Sequence, residues 1–141
     1  MIALKIDTSQ LDKRLATIVR EQPKKVGKAL GRTASLGIHI LLDRLKVGEG
    51  LKGAFKPYSE SYAWDRQNIK PKAQVAFVDL NRTGKMWGSL TITKLTRSKA
   101  VISATGALDK KKIANTDKQR PWFGFKPDEE KRLVRFFGKQ L

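Results

Sequence analysis

Cysteine is absent from this chain of 141 residues, and histidine occurs once. The first absence excludes disulfides and thiolate zinc sites and fits a reducing compartment. The second leaves His39 without a companion for a histidine metal site or a Cys–His pair. Set among Ile38, Ile40 and Leu41, it reads as a core or interface side chain. Carboxylates are scarce, 13 against 30 lysines and arginines, and their scatter shows no spacing suited to an acid–base pair. No run approaches the eighteen or so apolar residues of a membrane span. The first residues, Met1 to Asp7, also lack the apolar stretch of a signal peptide. Thr83-Gly84-Lys85 fails as a phosphate loop, because Asp79 and Met86 stand where a Walker motif needs glycine and a hydroxyl. The expectation is a protein that is not an enzyme and has no cofactor, no metal and no membrane partner.

What is abundant is positive charge. The formal net charge of +17 is spread from Lys5 to Lys139 and so is not a basic tail. Such a field favours nucleic acid, an anionic surface or an acidic protein. The length suits one domain, residues 1–141, with one modest core.

The longest organised stretch is Pro23 to Val47, which reads as a single helix about 37 Å long. Its first half carries Lys24, Lys28 and Arg32 on one stripe, a candidate face for DNA or an acidic partner. A second stripe holds the small residues Gly27, Gly31 and Ser35. Each glycine costs roughly 0.8–1 kcal/mol in a helix, so close approach by the chain's own sheet or by a neighbouring subunit should compensate. Ile38, Ile40, Leu41, Leu42 and Leu45 make the second half an expected core anchor, leaving the first as an exposed basic rod.

Around this helix, Ile2, Leu4 and Ile6 alternate as a strand. Asp7 to Ser9 offer caps for a helix from Gln10 to Glu21, with Leu11, Leu15, Ile18 and Val19 on its apolar face. Pro23 forces a break at Glu21–Gln22. Gly48 to Gly53 reads as a flexible loop, either a connector or a docking segment. A short helix from Ser59 to Gln67, an extended Gln74 to Leu80, a turn at Asn81 to Gly84 and one helical turn at Lys85 to Gly88 follow. Leu90 to Ala104 reads as a β-hairpin whose tip presents Arg97 and Lys99. Lys110, Lys111 and Lys112 form a basic loop or helix start. The last helix, Asp128 to Gln140, opens on Pro127 and three acids that complement its positive end.

Before that helix lies Arg120-Pro121-Trp122-Phe123-Gly124-Phe125. Pro121 stiffens it, and Gly124 is expected to permit a turn. Successive side chains of an extended segment point to opposite sides, so Trp122 and Phe123 either divide between the core and a neighbour or, as a core plug, both stay in their own domain. Arg120, Trp122, Phe123 and Phe125 join Gly27, Gly31 and Ser35 as candidate subunit-interface residues.

Three stretches, in order, resemble a known family. Phe55-Lys56-Pro57-Tyr58-Ser59-Glu60-Ser61-Tyr62 is similar to the aromatic-x-Pro-Leu-Ser-x-x-Thr/Tyr segment of the phage virion morphogenesis proteins, the tail-completion or neck proteins of tailed bacteriophages. Leu80 to Leu90 resembles their Leu-x-x-Thr-Gly-x-Leu-x-x-Ser-Leu segment, with Met86 for leucine. Arg120 to Phe125 resembles their Arg-Pro-Phe-Leu-Gly ending. Ala114-Asn115-Thr116-Asp117 stands where family members often carry His or Gln and then glycine.

The resemblance implies a structural virion protein of the head–tail junction, needed to complete or join the tail, with no catalytic residues. It implies a homo-oligomeric ring around the DNA passage, made in the host cytoplasm and placed in the virion. Its partners would be other copies of itself, head-completion or connector proteins, tail-tube or tail-terminator proteins, and channel DNA bound without sequence preference. The rivals are a non-specific nucleic-acid-binding protein and another virion role, head–tail adaptor or tail terminator. The expected fold class is α+β, with basic N-terminal helices packed on a small, mostly antiparallel sheet and closed by a C-terminal helix.

Overall fold

The computed structural model describes residues 4–7, 13–69, 80, 84–97 and 99–141. The expected caps at Thr8 and Ser9, the extended Gln74 to Asp79 and the turn residues 81–83 lie outside them. The fold is α+β. Strand β1 (Leu4–Asp7) leads to helix α1 (Lys13–Glu21), and Gln22 separates α1 from α2 (Pro23–Lys46). The break is where proline requires it. The Gln22 N–H still donates to the Ile18 carbonyl at 2.9 Å, and the Gln22 carbonyl accepts from Val26 at 3.1 Å. Pro23, at the first position of α2, has no N–H to leave unsatisfied.

Along α2 the buried residues are Val26, Ala29, Leu30, Thr33, Ala34, Gly37, Ile40, Leu41, Arg44 and Leu45. Their three- and four-residue spacing keeps one face in the core from end to end. The expected division into an exposed rod and a buried anchor is therefore corrected. The first half is anchored too, by small residues and by Thr33, whose hydroxyl donates to the Ala29 carbonyl at 2.8 Å. Of the two positions expected for His39, core or interface, the core is corrected, because His39 is exposed on the opposite face.

The Gly48 to Gly53 stretch is likewise ordered. It forms a hairpin of β2 (Glu49–Gly50) and β3 (Gly53–Ala54). Left-handed φ angles of 74° at Gly48 and 102° at Gly53 make the bends. Helix α3 (Glu60–Ile69) and the one-turn α4 (Lys85–Ser89) follow, then β4 (Thr91–Leu95), β5 (Lys99–Ser103), α5 (Ala107–Gln119) and α6 (Pro127–Gln140).

Strand β5 is central, antiparallel to β1 on one side and β4 on the other. Leu4 and Ile92 both pair with Ile102, and the β4 register shifts between Ile92 and Lys94. The expected hairpin is present, closed by Thr96 N–H to the Lys99 carbonyl at 2.8 Å. Helix α2 crosses β4 and β5 and also packs against α6. Leu30, Leu41, Leu45, Ile102, Ile113 and Trp122 are almost wholly buried between these layers. Complete burial of side chains of this size stabilises by about 1.5–3 kcal/mol each.

Candidate functional site

The aromatic segment 120–125 is held from three directions. Trp122 is 1% exposed, and Phe123 lies against it with ring centroids 5.3 Å apart. From α5, Asp117 Oδ1 accepts the backbone N–H groups of both Trp122 and Phe123 at 2.9 Å. One residue earlier, Thr116 Oγ1 accepts the Trp122 indole N–H at 3.0 Å and donates to the Lys112 carbonyl at 2.8 Å. The Leu51 N–H, at the β2–β3 turn, donates to the Pro121 carbonyl at 2.8 Å. From α2, Arg44 Nη2 donates to the carbonyls of Trp122, at 2.9 Å, and Gly124.

Arg44 is itself buried, and its Nε lies 3.2 Å from Glu129 Oε1. The other Glu129 oxygen accepts the Lys126 N–H at 2.8 Å and so caps the start of α6. Burial pulls the Arg44 guanidinium below its ordinary pKa, and Glu129, Glu49 and Asp128 oppose that fall. An arginine keeps its charge at any physiological pH, so the pair is an ionised tie between α2 and α6.

This corrects the interface assignment of Trp122 and Phe123. Both rings fill the chain's own core and are not divided between core and neighbour. Phe125, half-buried, packs on Gly37, where an added Cβ would lie 2.8 Å from its Cζ. The expected turn is present, with the chain bent at Phe123–Gly124 and the Gly124 N–H donating to the Trp122 carbonyl at 3.0 Å. The φ of Gly124 is ordinary, and a side chain is hindered by closeness instead, with an added Cβ 3.1 Å from Leu51 Cδ1. Arg120 is half-buried. A cleft of about 400 Å³ lies beside it, lined also by Lys52, Phe55, Lys56 and Pro121.

The small-residue stripe divides. Gly31 faces the chain's own sheet, with an added Cβ 3.3 Å from Leu95 Cδ2, whereas Gly27 has nothing within 4 Å and Ser35 is exposed. The close approach that sequence reasoning missed is Gly37. Its signal was only a third glycine in the helix, six residues beyond Gly31.

The cations are not one patch. Lys24, Lys28 and Arg32 lie on the exposed face of α2, and Arg32 Nη1 donates to Gln140 Oε1 of α6 at 3.0 Å. Leu95 over Gly31 sets the hairpin tip, with exposed Arg97, beside that same half of α2. Lys99 is half-buried at the start of β5. Lys110, Lys111 and Lys112 belong to α5, which packs on α4, and Lys112 is drawn to Asp109 at 3.9 Å.

Among the described residues, the large apolar side chains left in solvent include Trp64, 69% exposed, and Leu108, 67% exposed. Trp64 rides on α3, whose start is fixed by Ser59 Oγ accepting the Tyr62 N–H at 3.3 Å. On the same helix, Arg66 Nη1 donates to the Tyr58 hydroxyl at 2.9 Å. No group of three metal-ligating side chains and no helix long and apolar enough to cross a membrane occurs among the described residues. No family model, curated protein or solved structure matches the chain.

Proposed function

We propose that this chain is a structural protein of the head–tail junction of a tailed phage, acting in virion assembly as a homo-oligomer around the DNA passage. The observation that carries the reading is the convergence of the three resembling segments. Phe55 of the first packs on Gly50, in the hairpin whose turn binds Pro121 of the third. Met86 of the second lies 3.8 Å from Thr116, the residue that holds Trp122. Segments far apart in the chain thus pack around 120–125, as parts of a shared framework would. Thr116 and Asp117, at the place where the chain departs from the family pattern, supply the hydrogen bonds that hold the third segment.

The exposed surfaces suit assembly. Trp64 and Leu108 are available to protein partners, and the α2 cations to a polyanion. A large aromatic left in water is the kind of side chain that anchors interfaces. The alternative, a nucleic-acid-binding protein acting alone, would draw only on the cations.

Removal of the gene from a phage that encodes it tests the proposal. The expected result is separate heads and tails by electron microscopy, with purified protein restoring infectious particles on addition to the extract. Intact tailed particles in the absence of the protein overturn it.

A further inference from the structure

The α2 cations have counterparts that the sequence reading left aside. Helices α2 and α6 run antiparallel. Arg44 meets Glu129 at one end. Arg32 meets Gln140, and Lys25 Nζ donates to the Leu141 main-chain oxygen at 2.8 Å, at the other. Leu133 and Phe137 of α6 turn into the core. With 3.6 residues per turn, the positions that follow round the helix beyond Phe136 and Gln140 are Arg132, Lys139 and Arg135. All three are exposed. On the first half of α2 the positions beyond the core row, on the side that meets α6, are Lys25, Arg32 and then Lys28, and the strip turns acidic only at Asp43, near the far end of the helix. Two rows of cations therefore flank one seam, and no acid occurs between Pro23 and Leu42 or between Lys131 and Leu141.

We infer that this seam is a binding surface for the phosphate backbone of duplex DNA. Each row is about 10 Å long, and packed helix axes lie about 8–10 Å apart. That spacing sets the rows against a run of phosphates, which recur about every 3.4 Å along each strand. Lys139 alone has an ordinary explanation, since a cation suits a helix C-terminus. Arg132 and Arg135 lie further back, where that benefit fades. The side chains offer point charges and guanidinium forks without a base-reading element, so binding is indifferent to sequence. The inference rests on the neck reading for the choice of DNA as the polyanion. Its test needs no assembled particle.

The purified full chain is titrated into a fluorescein-labelled random-sequence duplex, with anisotropy read over a salt series. The variant Arg132→Gln/Arg135→Gln/Lys139→Gln is compared with the control Lys52→Gln/Lys56→Gln/Lys118→Gln, which removes the same charge away from the seam. The seam variant is expected to lose on the order of 100-fold in affinity at about 0.1 M salt, and its salt slope to fall by about 3, with the control changing far less. Equal losses in both variants reduce the effect to net charge and overturn the inference. So does binding to polyglutamate, but not to DNA, that the seam variant loses, which marks an acidic protein as the partner. If the triple variant melts early, Lys28→Gln/Arg135→Gln takes its place, with a slope change of about 2 expected. A chain that binds DNA through the seam yet is dispensable for particles leaves this inference standing and removes the neck reading.

Discussion

The two ends of α2 put positive charge to opposite uses. At Arg44 the guanidinium is buried, faces Glu129 and donates to the Trp122 and Gly124 carbonyls. At Lys28, four turns earlier in the same helix, the ammonium is in solvent with no acid in its half of the helix. Residue type does not separate them. What does is the supply of acceptors, which at Arg44 comes from segments about eighty positions downstream. A charge supplied with acceptors becomes part of the frame, and one without them remains available.

The largest way to break this contrast is to remove the buried charge. Arg44→Met leaves Glu129 and two carbonyls without their donor, and urea unfolding should show a loss of about 3–5 kcal/mol. Adding Glu129→Gln should restore part of that, because the orphaned charge goes with it. A loss under about 1 kcal/mol for the single variant would mean that Arg44 is as dispensable as a surface cation.

The glycines sharpen the same contrast with opposite signs. Gly37→Ala drives a Cβ to 2.8 Å from the Phe125 ring and 3.2 Å from Ile102. Overpacking of this kind costs about 1–3 kcal/mol. Gly27→Ala meets nothing, and the gain in helix propensity and the lost freedom of the unfolded chain should stabilise by about 0.4–1 kcal/mol. Thermal melts of the two variants moving in the same direction would contradict the assignment of Gly37 to the core and Gly27 to an open face. A stabilised Gly27→Ala monomer that fails to assemble would place a neighbouring subunit at that face.

The smallest expected change is at Lys28→Gln, within about 0.5 kcal/mol of the parent in urea unfolding. A larger loss would show the basic half to be structural after all.

How much of this was legible followed from how local each cause is. The break at Gln22, the length of α2 and the start of α6 come from Pro23, Pro127 and the acids beside it, so they could be read directly. The burial of the first half of α2 was hidden because Ala29, Thr33, Ala34 and Gly37 carry little hydrophobic weight and are covered by close backbone approach. The core alternative for His39 came from its apolar neighbours along the chain. Helical geometry sets His39 on the other side from Ile40 and Leu41. The β2–β3 hairpin escaped notice because strands of two residues show no alternation. Trp122 and Phe123 were named as core plug or interface anchor without a choice between the two, since Asp117, Thr116 and Arg44 had not been connected to them. Of the candidate cations, Lys24, Lys28 and Arg32 fell where expected on an exposed face. Their companions on α6 needed the helix pairing to be seen.

The Arg44 contacts also set an order of events during synthesis. The carbonyls that Arg44 meets lie 78 and 80 residues later in the chain. At about 5–20 residues per second, a ribosome needs roughly 4–16 s to supply them. Until then α2 can form its local turns, but its far end carries a hydrated charge that resists burial, so the core cannot close early around an incomplete set of partners. When 120–125 and α6 emerge, one arginine captures both. Burying that charge before its last partners arrive would leave it without acceptors, a cost that favours a nascent chain still open at this end.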